Sequence, residues 1–211
     1  MNSIEALSWR YAPRQFDTAK KLTEDQVAIV VESLRLAPSS FGLQPWHFFI
    51  ISNPEIRAKL REAGYGQPQI TDASHLVVIT VPTNLDDSSV DRYVASIAAA
   101  RPMLPAGSLD GMSAMLKGKL AGLSHDARIE WATRQAYIAL GTMVASLANE
   151  SIDTGPMEGF DPGQFDEILG LKEKSLKTVV IAGVGFRSAD DVTASMPKVR
   201  LSREEVVTEL K

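Results

Sequence analysis

The stretch Ala37-Pro-Ser-Ser-Phe-Gly-Leu-Gln-Pro-Trp-His-Phe-Phe-Ile-Ile51 passes from the end of a helix, through a polar loop, into an apolar strand. Pro38 disfavours helical geometry at Ala37, so the preceding helix must stop before it. Ser39, Ser40 and Gly42 make a loop with hydroxyls and exposed backbone N–H groups. Pro45 cannot donate to a ladder, which starts the strand at about Trp46 and runs it to Ile51. A loop of this kind at the mouth of a buried strand suits a ligand with polar atoms and a flat apolar body. It equally serves as a plain connection, and the choice depends on the rest of the chain.

The other segments are punctuated by clear signals. Residues 3–9 read as a short helix. Thr23-Glu-Asp-Gln26 is a capping box opening a helix that ends near Leu36. Asn53-Pro54 opens another, closed by Gly64. Leu76–Val81 is a continuous β-branched run, as expected of a strand covered on both faces. A helix is expected over 90–100, then a weakly periodic, Gly-, Pro- and Met-rich lobe to Gly122. Residues 127–148 form the longest helix, with Ile129, Ala132, Ala136, Tyr137, Leu140, Val144 and Leu147 in one stripe. Ala139, Met143 and Ala148 widen that stripe, so the helix is expected to be central or to form a subunit interface. Asp161-Pro162 starts a short helix ending at Gly170, Thr178–Phe186 is a further strand, and Ser202-Arg-Glu-Glu205 is a second capping box. Three strands and six or seven helices are expected, in one domain spanning 1–211.

Composition narrows the chemistry. The 211 residues carry a net charge of −4, against a nucleic-acid partner. No apolar run approaches a membrane span. The residues Met1-Asn-Ser-Ile-Glu lack a signal-peptide pattern, so a cytoplasmic location is expected. There is no cysteine, which removes disulfides, thiolate catalysis and zinc–sulfur sites. No G-x-S-x-G elbow supports a serine hydrolase. His47 and His75 sit at strand entries with no partner at ligand spacing, so no metal is expected. Gly183-x-Gly185 follows a strand, but Ser188 stands where a dinucleotide fingerprint needs its third glycine. A bound phosphate would therefore be held by side chains, and Arg10, Arg14, Lys198 and Arg200 are the cations in non-helical segments.

Five pieces of the chain together resemble the FMN-dependent nitroreductase family. They are Arg10-x-x-x-Arg14-x-Phe16-Asp17, Pro38-Ser39-Ser40 with Gln44-Pro45-Trp46-His47-Phe48, Asp72-Ala-Ser-His75, Glu158-Gly-Phe-Asp161, and Lys198-x-Arg200-Leu201. Their order agrees from about residue 3 to 207. The resemblance implies an α+β fold with a mixed, mainly antiparallel sheet flanked by helices. It also implies a domain-swapped homodimer, with FMN at the subunit interface and NAD(P)H as electron donor.

Carried over by position, Arg10, Lys198 and Arg200 hold the phosphate, and Tyr11 and Ala12 lie beside it. Arg14 faces the N1–C2 side of the flavin. Pro38, Ser39 and Ser40 reach it from the partner subunit, and Gln67 or Gln69 meets the pyrimidine edge. Pro156 and Met157 lead to the backbone N–H groups of Glu158 and Gly159 near N5. The segment 100–125 shows no matching motif; Phe41, Met115 and Leu116 are the residues expected in the substrate pocket, although the helical spacing of Met115 and Leu116 is more often that of a core. Ala12 departs from the usual serine, Arg14 stands where lysine is common, and Gly66 replaces a common asparagine. The implied activity is hydride transfer from NAD(P)H to nitroaromatics or quinones in ping-pong order, with no side chain as nucleophile. The alternatives are other flavin chemistry, such as dehydrogenation or dehalogenation, and a non-catalytic flavin carrier.

Overall fold

A computed structural model describes residues 2–211. Four strands form one sheet: β1 (His47–Ile51), β2 (His75–Pro82), β3 (Asp153–Met157) and β4 (Leu176–Gly185), in the order β1-β2-β4-β3. All three pairings are antiparallel. This satisfies the mainly antiparallel expectation, and no parallel pair occurs among the described residues. The helices are α1 (Ser3–Trp9), α2 (Glu24–Arg35), α3 (Pro54–Ala63), α4 (Gln69–Asp72), α5 (Asp87–Ala100), α6 (Asp110–Ala121), α7 (His125–Asn149), α8 (Pro162–Ile168) and α9 (Arg203–Val206).

The sheet has helices on both faces because β2 is apolar on both faces. Val77, Ile79 and Val81 join Leu34 of α2, Leu116 of α6 and Met143 of α7 in one cluster. Leu76 and Val78 join Leu60 of α3, Ile70 of α4 and Phe165 of α8 in the other. This is the period-2 alternation of a strand buried on both sides. The capping boxes at Thr23 and Ser202 and the Asn53 cap form as the sequence indicates.

Strand β3 was not among the three expected. Gly155 and Pro156 both argue against a strand, yet β3 is an edge strand, where a proline costs no essential ladder bond. The helix expected over 90–100 begins earlier, at Asp87, because Asp86 caps it through the N–H of Ser88. Helix α7 buries Ala132, Ala136, Ala139, Met143 and Leu147. Tyr137 does not belong to that inward stripe: it is 37% exposed, and Ile138 beside it is 43% exposed. One apolar strip of α7 therefore faces outward. Beyond Met196 the chain is exposed, including Val199, Leu201, Val206 and Leu210.

The glycines of Gly183-Val-Gly185 have a packing role. Phe16 is buried, and a Cβ built at Gly183 or Gly185 would stand 3.3 Å from its ring. The two glycines and Gly155 let this ring lie on the backbone of β3 and β4.

Candidate functional site

Residues 10–17 form no helix or continuous strand, and two buried carboxylates fix them instead. Asp191, 3% exposed, accepts the hydroxyl of Tyr11 at 3.1 Å, the N–H of Arg14 at 2.8 Å and that of Gln15 at 3.3 Å. Burial alone would raise this carboxyl's pKa. Hydrogen bonds from Thr193, Arg14 and Gln15 outweigh it and hold the group below the usual carboxylate range. Burial and the bond to Asp191 together push the Tyr11 hydroxyl up to about 12. Asp153 opens β3 and pairs with Arg187 at 2.6 Å. The Arg187 guanidinium also lies 4.1 Å from the centroid of Trp9 and 4.4 Å from that of Tyr11.

This frame gathers positive charge. Lys198 donates from Nζ to the carbonyl of Leu7 at 2.7 Å and to that of Arg10, at the C-terminal end of α1. Burial lowers the pKa of Arg10, and the charge of Arg200 lowers it further. Lys198 is exposed as a residue, but partial desolvation of its ammonium lowers its pKa too, followed by Arg10, Arg200 and Arg187. Each cation feels its neighbours' repulsion. Asp153 offsets Arg10 in part, but both its oxygens already bond the Arg187 side chain. The Nε of Arg10 is buried without a partner. Arg14 points to solvent, and Ala12 is exposed with no hydroxyl to offer.

A second group lies at the Ser39–Gln44 loop. The N–H of Ser40 donates to Oε1 of Gln135 in α7 at 2.8 Å, and Nε2 of Gln135 donates to the carbonyl of Trp131 at 3.1 Å. The N–H of Gln44 donates to the Ser39 hydroxyl at 2.9 Å. Pro38 is exposed ahead of them. Phe41 (φ 57°), Gly42 (φ 74°) and Gln44 (φ 50°) are left-handed. Helices α5 and α6 roof this loop. A Cβ on Gly42 would collide with the Tyr93 hydroxyl, and Lys119 Nζ lies 4.7 Å above the ring of Phe41.

The third group closes β3. Pro156 and Met157 are half-buried, and Glu158 and Gly159 are exposed. Tyr137 of α7 donates from its hydroxyl to Glu158 Oε1 at 2.6 Å, and burial with this carboxylate raises its pKa to about 12. Gln67 donates from Nε2 to the carbonyls of Gly64 at 3.0 Å and Gly159 at 2.5 Å. Its amide hydrogens thus brace the loop. Gln69 is buried with Oε1 unpartnered.

Of the three expected pocket residues, Phe41 is 40% exposed and Met115 is also exposed, whereas Leu116 is 2% exposed within the core. Phe41 and Leu116 line one small cavity together with Lys119 and Trp131. Among the described residues no group of three His, Asp or Glu side chains can hold a metal.

The profile of the Nitroreductase family matches residues 7–186. The chain belongs to the nitroreductase family. It is 32% identical to the oxygen-insensitive NAD(P)H nitroreductase of Salmonella typhimurium, with each chain covered completely. It is 32% identical to the enzyme of the same name from Enterobacter cloacae, covering 99% of this chain and 100% of that one. A protein from Exiguobacterium sibiricum, described as a nitroreductase and crystallised with FMN, shares the fold at a TM-score of 0.84 and 21% identity. That match covers 100% of this chain and 98% of the other.

Sequence reasoning missed several residues that organise this nitroreductase. Asp191, the Asp153–Arg187 pair, Gln135 and Tyr137 all act on residues distant in the chain. The signal that could have found Gln135 is a glutamine set in an alanine-rich helical stripe, Ala132, Ala136 and Ala139.

Proposed function

We propose that this nitroreductase binds FMN and uses NAD(P)H to reduce nitroaromatic or quinone acceptors. The observation that carries this is the cation group of Arg10, Lys198 and Arg200, with the buried Nε of Arg10 unpartnered. Gathering three cations costs energy unless an anion joins them, and a phosphate monoester supplies up to two negative charges. The residues present fit the cofactor. Among the described residues three buried side-chain polar atoms lack a partner, and two of them belong to Arg10 and Gln69. One is a donor suited to phosphate, the other an acceptor suited to an imide N–H of a flavin ring.

In this reading Arg10, Lys198 and Arg200 hold the phosphate, with Tyr11 and Ala12 beside it. Gln69 takes the pyrimidine edge, and Gln67 acts behind it by fixing Gly159. Arg14 supplies positive charge near N1. Pro156 and Met157 carry Glu158 and Gly159 so that their N–H groups face the ring near N5. Bound there, FMN supplies the hydride transfer between donor and acceptor. The chain's residues hold and orient the reactants and exclude water, and none acts as a nucleophile. Donor and acceptor use the same space in turn, which is ping-pong order. With a nitroaromatic the first two-electron turnover is ArNO2 + NAD(P)H + H+ → ArNO + NAD(P)+ + H2O.

The whole span 1–211 acts as one FMN-binding unit, in a cytoplasmic homodimer. The outward apolar strip at Tyr137 and Ile138, and the exposed Val199, Leu201 and Val206 of the tail, support an exchanged dimer in which Pro38, Ser39 and Ser40 serve the partner's flavin.

The test is the visible spectrum of the purified protein before and after NADPH is added without oxygen. A flavin spectrum that bleaches is expected. A flavin spectrum that persists shows a carrier or a different donor, and a protein that stays colourless after incubation with FMN overturns the reading.

A further inference from the structure

We infer that Lys119 selects acceptors carrying a negative charge, so that the favoured substrates are flat aromatics with a carboxylate or sulfonate substituent. This rests on the flavin reading above and adds to it the charge of the acceptor.

Phe41 follows directly after Ser39 and Ser40. Its φ of 57° is a left-handed geometry that an L-residue adopts at a cost, and its ring remains 40% exposed. The exposed ring is therefore held out by the backbone on the loop the proposed function places against the cofactor. The segment from α5 to α6 covers this loop through Tyr93 and Lys119.

Lys119 differs from the charges around it. Lys117, two residues earlier on α6, pairs with Asp91 at 2.6 Å, and Arg134 on α7 pairs with Glu130 at 2.5 Å. Lys119 has no carboxylate partner among the described residues. Its Nζ is stationed 4.7 Å from the centroid of Phe41 instead. The small cavity beneath is otherwise apolar, with Phe41, Leu116, Leu120 and Trp131 in its walls and no carboxylate.

A flat acceptor lying against Phe41 brings its substituents within reach of this ammonium. A neutral acceptor gains only the stacking, while an anionic one gains an ion pair beside a low-dielectric wall. The chain as a whole is acidic, with a net charge of −4. Long-range attraction therefore does not favour anions, and the discrimination is local to Lys119.

The experiment compares para-nitrobenzoate with para-nitrobenzamide, which is close in shape and neutral, using the FMN-loaded full chain. In Lys119→Gln the ratio of their kcat/KM values is expected to fall about three- to fivefold, the range of an exposed ion pair, and the loss is expected in KM. Lys119→Arg, which keeps the charge over the ring, should preserve the ratio. Benzoate, which cannot be reduced, should bind the glutamine variant more weakly by a similar factor, read from the shift it causes in the flavin absorbance.

In the wild-type protein the ratio should fall as ionic strength rises, a measurement that needs no variant. A ratio unchanged in Lys119→Gln, equal losses for both compounds, or a ratio indifferent to salt overturns the inference and leaves the flavin reading standing. Absence of turnover with both compounds overturns the inference, and a protein that takes up no FMN overturns the flavin reading with it.

Discussion

Oε1 of Gln135 accepts the backbone N–H of Ser40 at 2.8 Å, across 95 residues of chain. This bond ties the Ser39–Gln44 loop to the longest helix. Gln135 is buried, so removing its amide leaves the Ser40 N–H without a partner in a place water reaches poorly. Gln135→Leu should cost about 1–3 kcal/mol, seen as a lower denaturation midpoint with an unchanged m-value. Gln135→Glu keeps the acceptor for Ser40 but sets a carboxylate oxygen against the carbonyl of Trp131, which Nε2 now serves. It should destabilise as well, and less so in acid, where the new carboxyl protonates and donates again.

Asp191 makes residues 10–15 sensitive to acid. Its folded pKa is depressed, so it stabilises above the unfolded value near 3.9 and that stability is lost as pH falls through the folded value. Asp191→Ala removes the acceptor for Tyr11, Arg14 and Gln15 at once. The expected loss is about 2–4 kcal/mol, because three backbone donors and two hydroxyls, those of Thr193 included, lose their partner. In urea melts from pH 7 to pH 3, the gap between wild type and variant should narrow towards acid. A constant gap would show that the carboxylate's charge is not what holds the segment.

These two relations show where the sequence was legible. β2 and β4 announce themselves because their signal is local: β-branched runs bounded by polar turns. The caps at Thr23, Asn53 and Ser202 are equally local, and all three form. β3 was hidden because Gly155 and Pro156 contradict a strand, and only its place at the edge of the sheet resolves the contradiction. Asp191 reaches Arg14 across 177 residues and Tyr137 reaches Glu158 across 21, and no periodicity encodes such pairs. Tyr137 even misled, because its aromatic ring matched the stripe while its hydroxyl faces a carboxylate. Arg10, Lys198 and Arg200 were legible as cations in non-helical segments and, through the resemblance, as a group; their mutual repulsion is visible only in the fold.

Gly185 should be intolerant of any side chain. A Cβ there would stand 2.8 Å from the backbone nitrogen of Ser74 and 3.3 Å from Phe16. Backbone cannot swing aside as a flexible side chain does, so Gly185→Ala should cost about 1–3 kcal/mol. Gly118, on α6 with nothing within 4 Å of the position a Cβ would take, is the control. Gly118→Ala should stabilise by a few tenths to about 1 kcal/mol through helix propensity. Thermal unfolding of the two variants side by side tests the contrast, and a Gly185→Ala protein as stable as wild type would refute the packing of Phe16 on that strand.

Tyr11 and Tyr137 share a raised pKa, each to about 12, and both shifts act in alkali. A phenol whose folded pKa lies above its unfolded value near 10 contributes stability below 10 and loses it as pH rises towards 12. Spectrophotometric titration should therefore show two of the four tyrosines ionising late. Glu158→Gln removes the charged acceptor at Tyr137 and should bring one of the two back towards 10. Burial, the larger cause, persists, so the return should be partial. A titration curve indifferent to Glu158→Gln would mean that the two side chains do not meet in solution.

The cation group gives the sharpest test of the cofactor site. Lys198→Ala with Arg200→Ala removes two charge-assisted contacts worth roughly 1.5–3 kcal/mol each, so FMN affinity should fall more than about a hundredfold. Stability without FMN should change little, because relief of the repulsion among Arg10, Lys198 and Arg200 is set against the lost bonds from Lys198 to the carbonyls of Leu7 and Arg10. A purely structural role for the tail would lower both. In the wild-type protein FMN affinity should weaken with salt, and weaken again below about pH 6, where the phosphate monoester takes up a proton and loses one of its charges. Riboflavin, which has no phosphate, should bind wild type and double variant alike. Full retention of FMN by the double variant would remove Lys198 and Arg200 from the phosphate site, and tight riboflavin binding by the wild type would show that the cations are not what holds the cofactor.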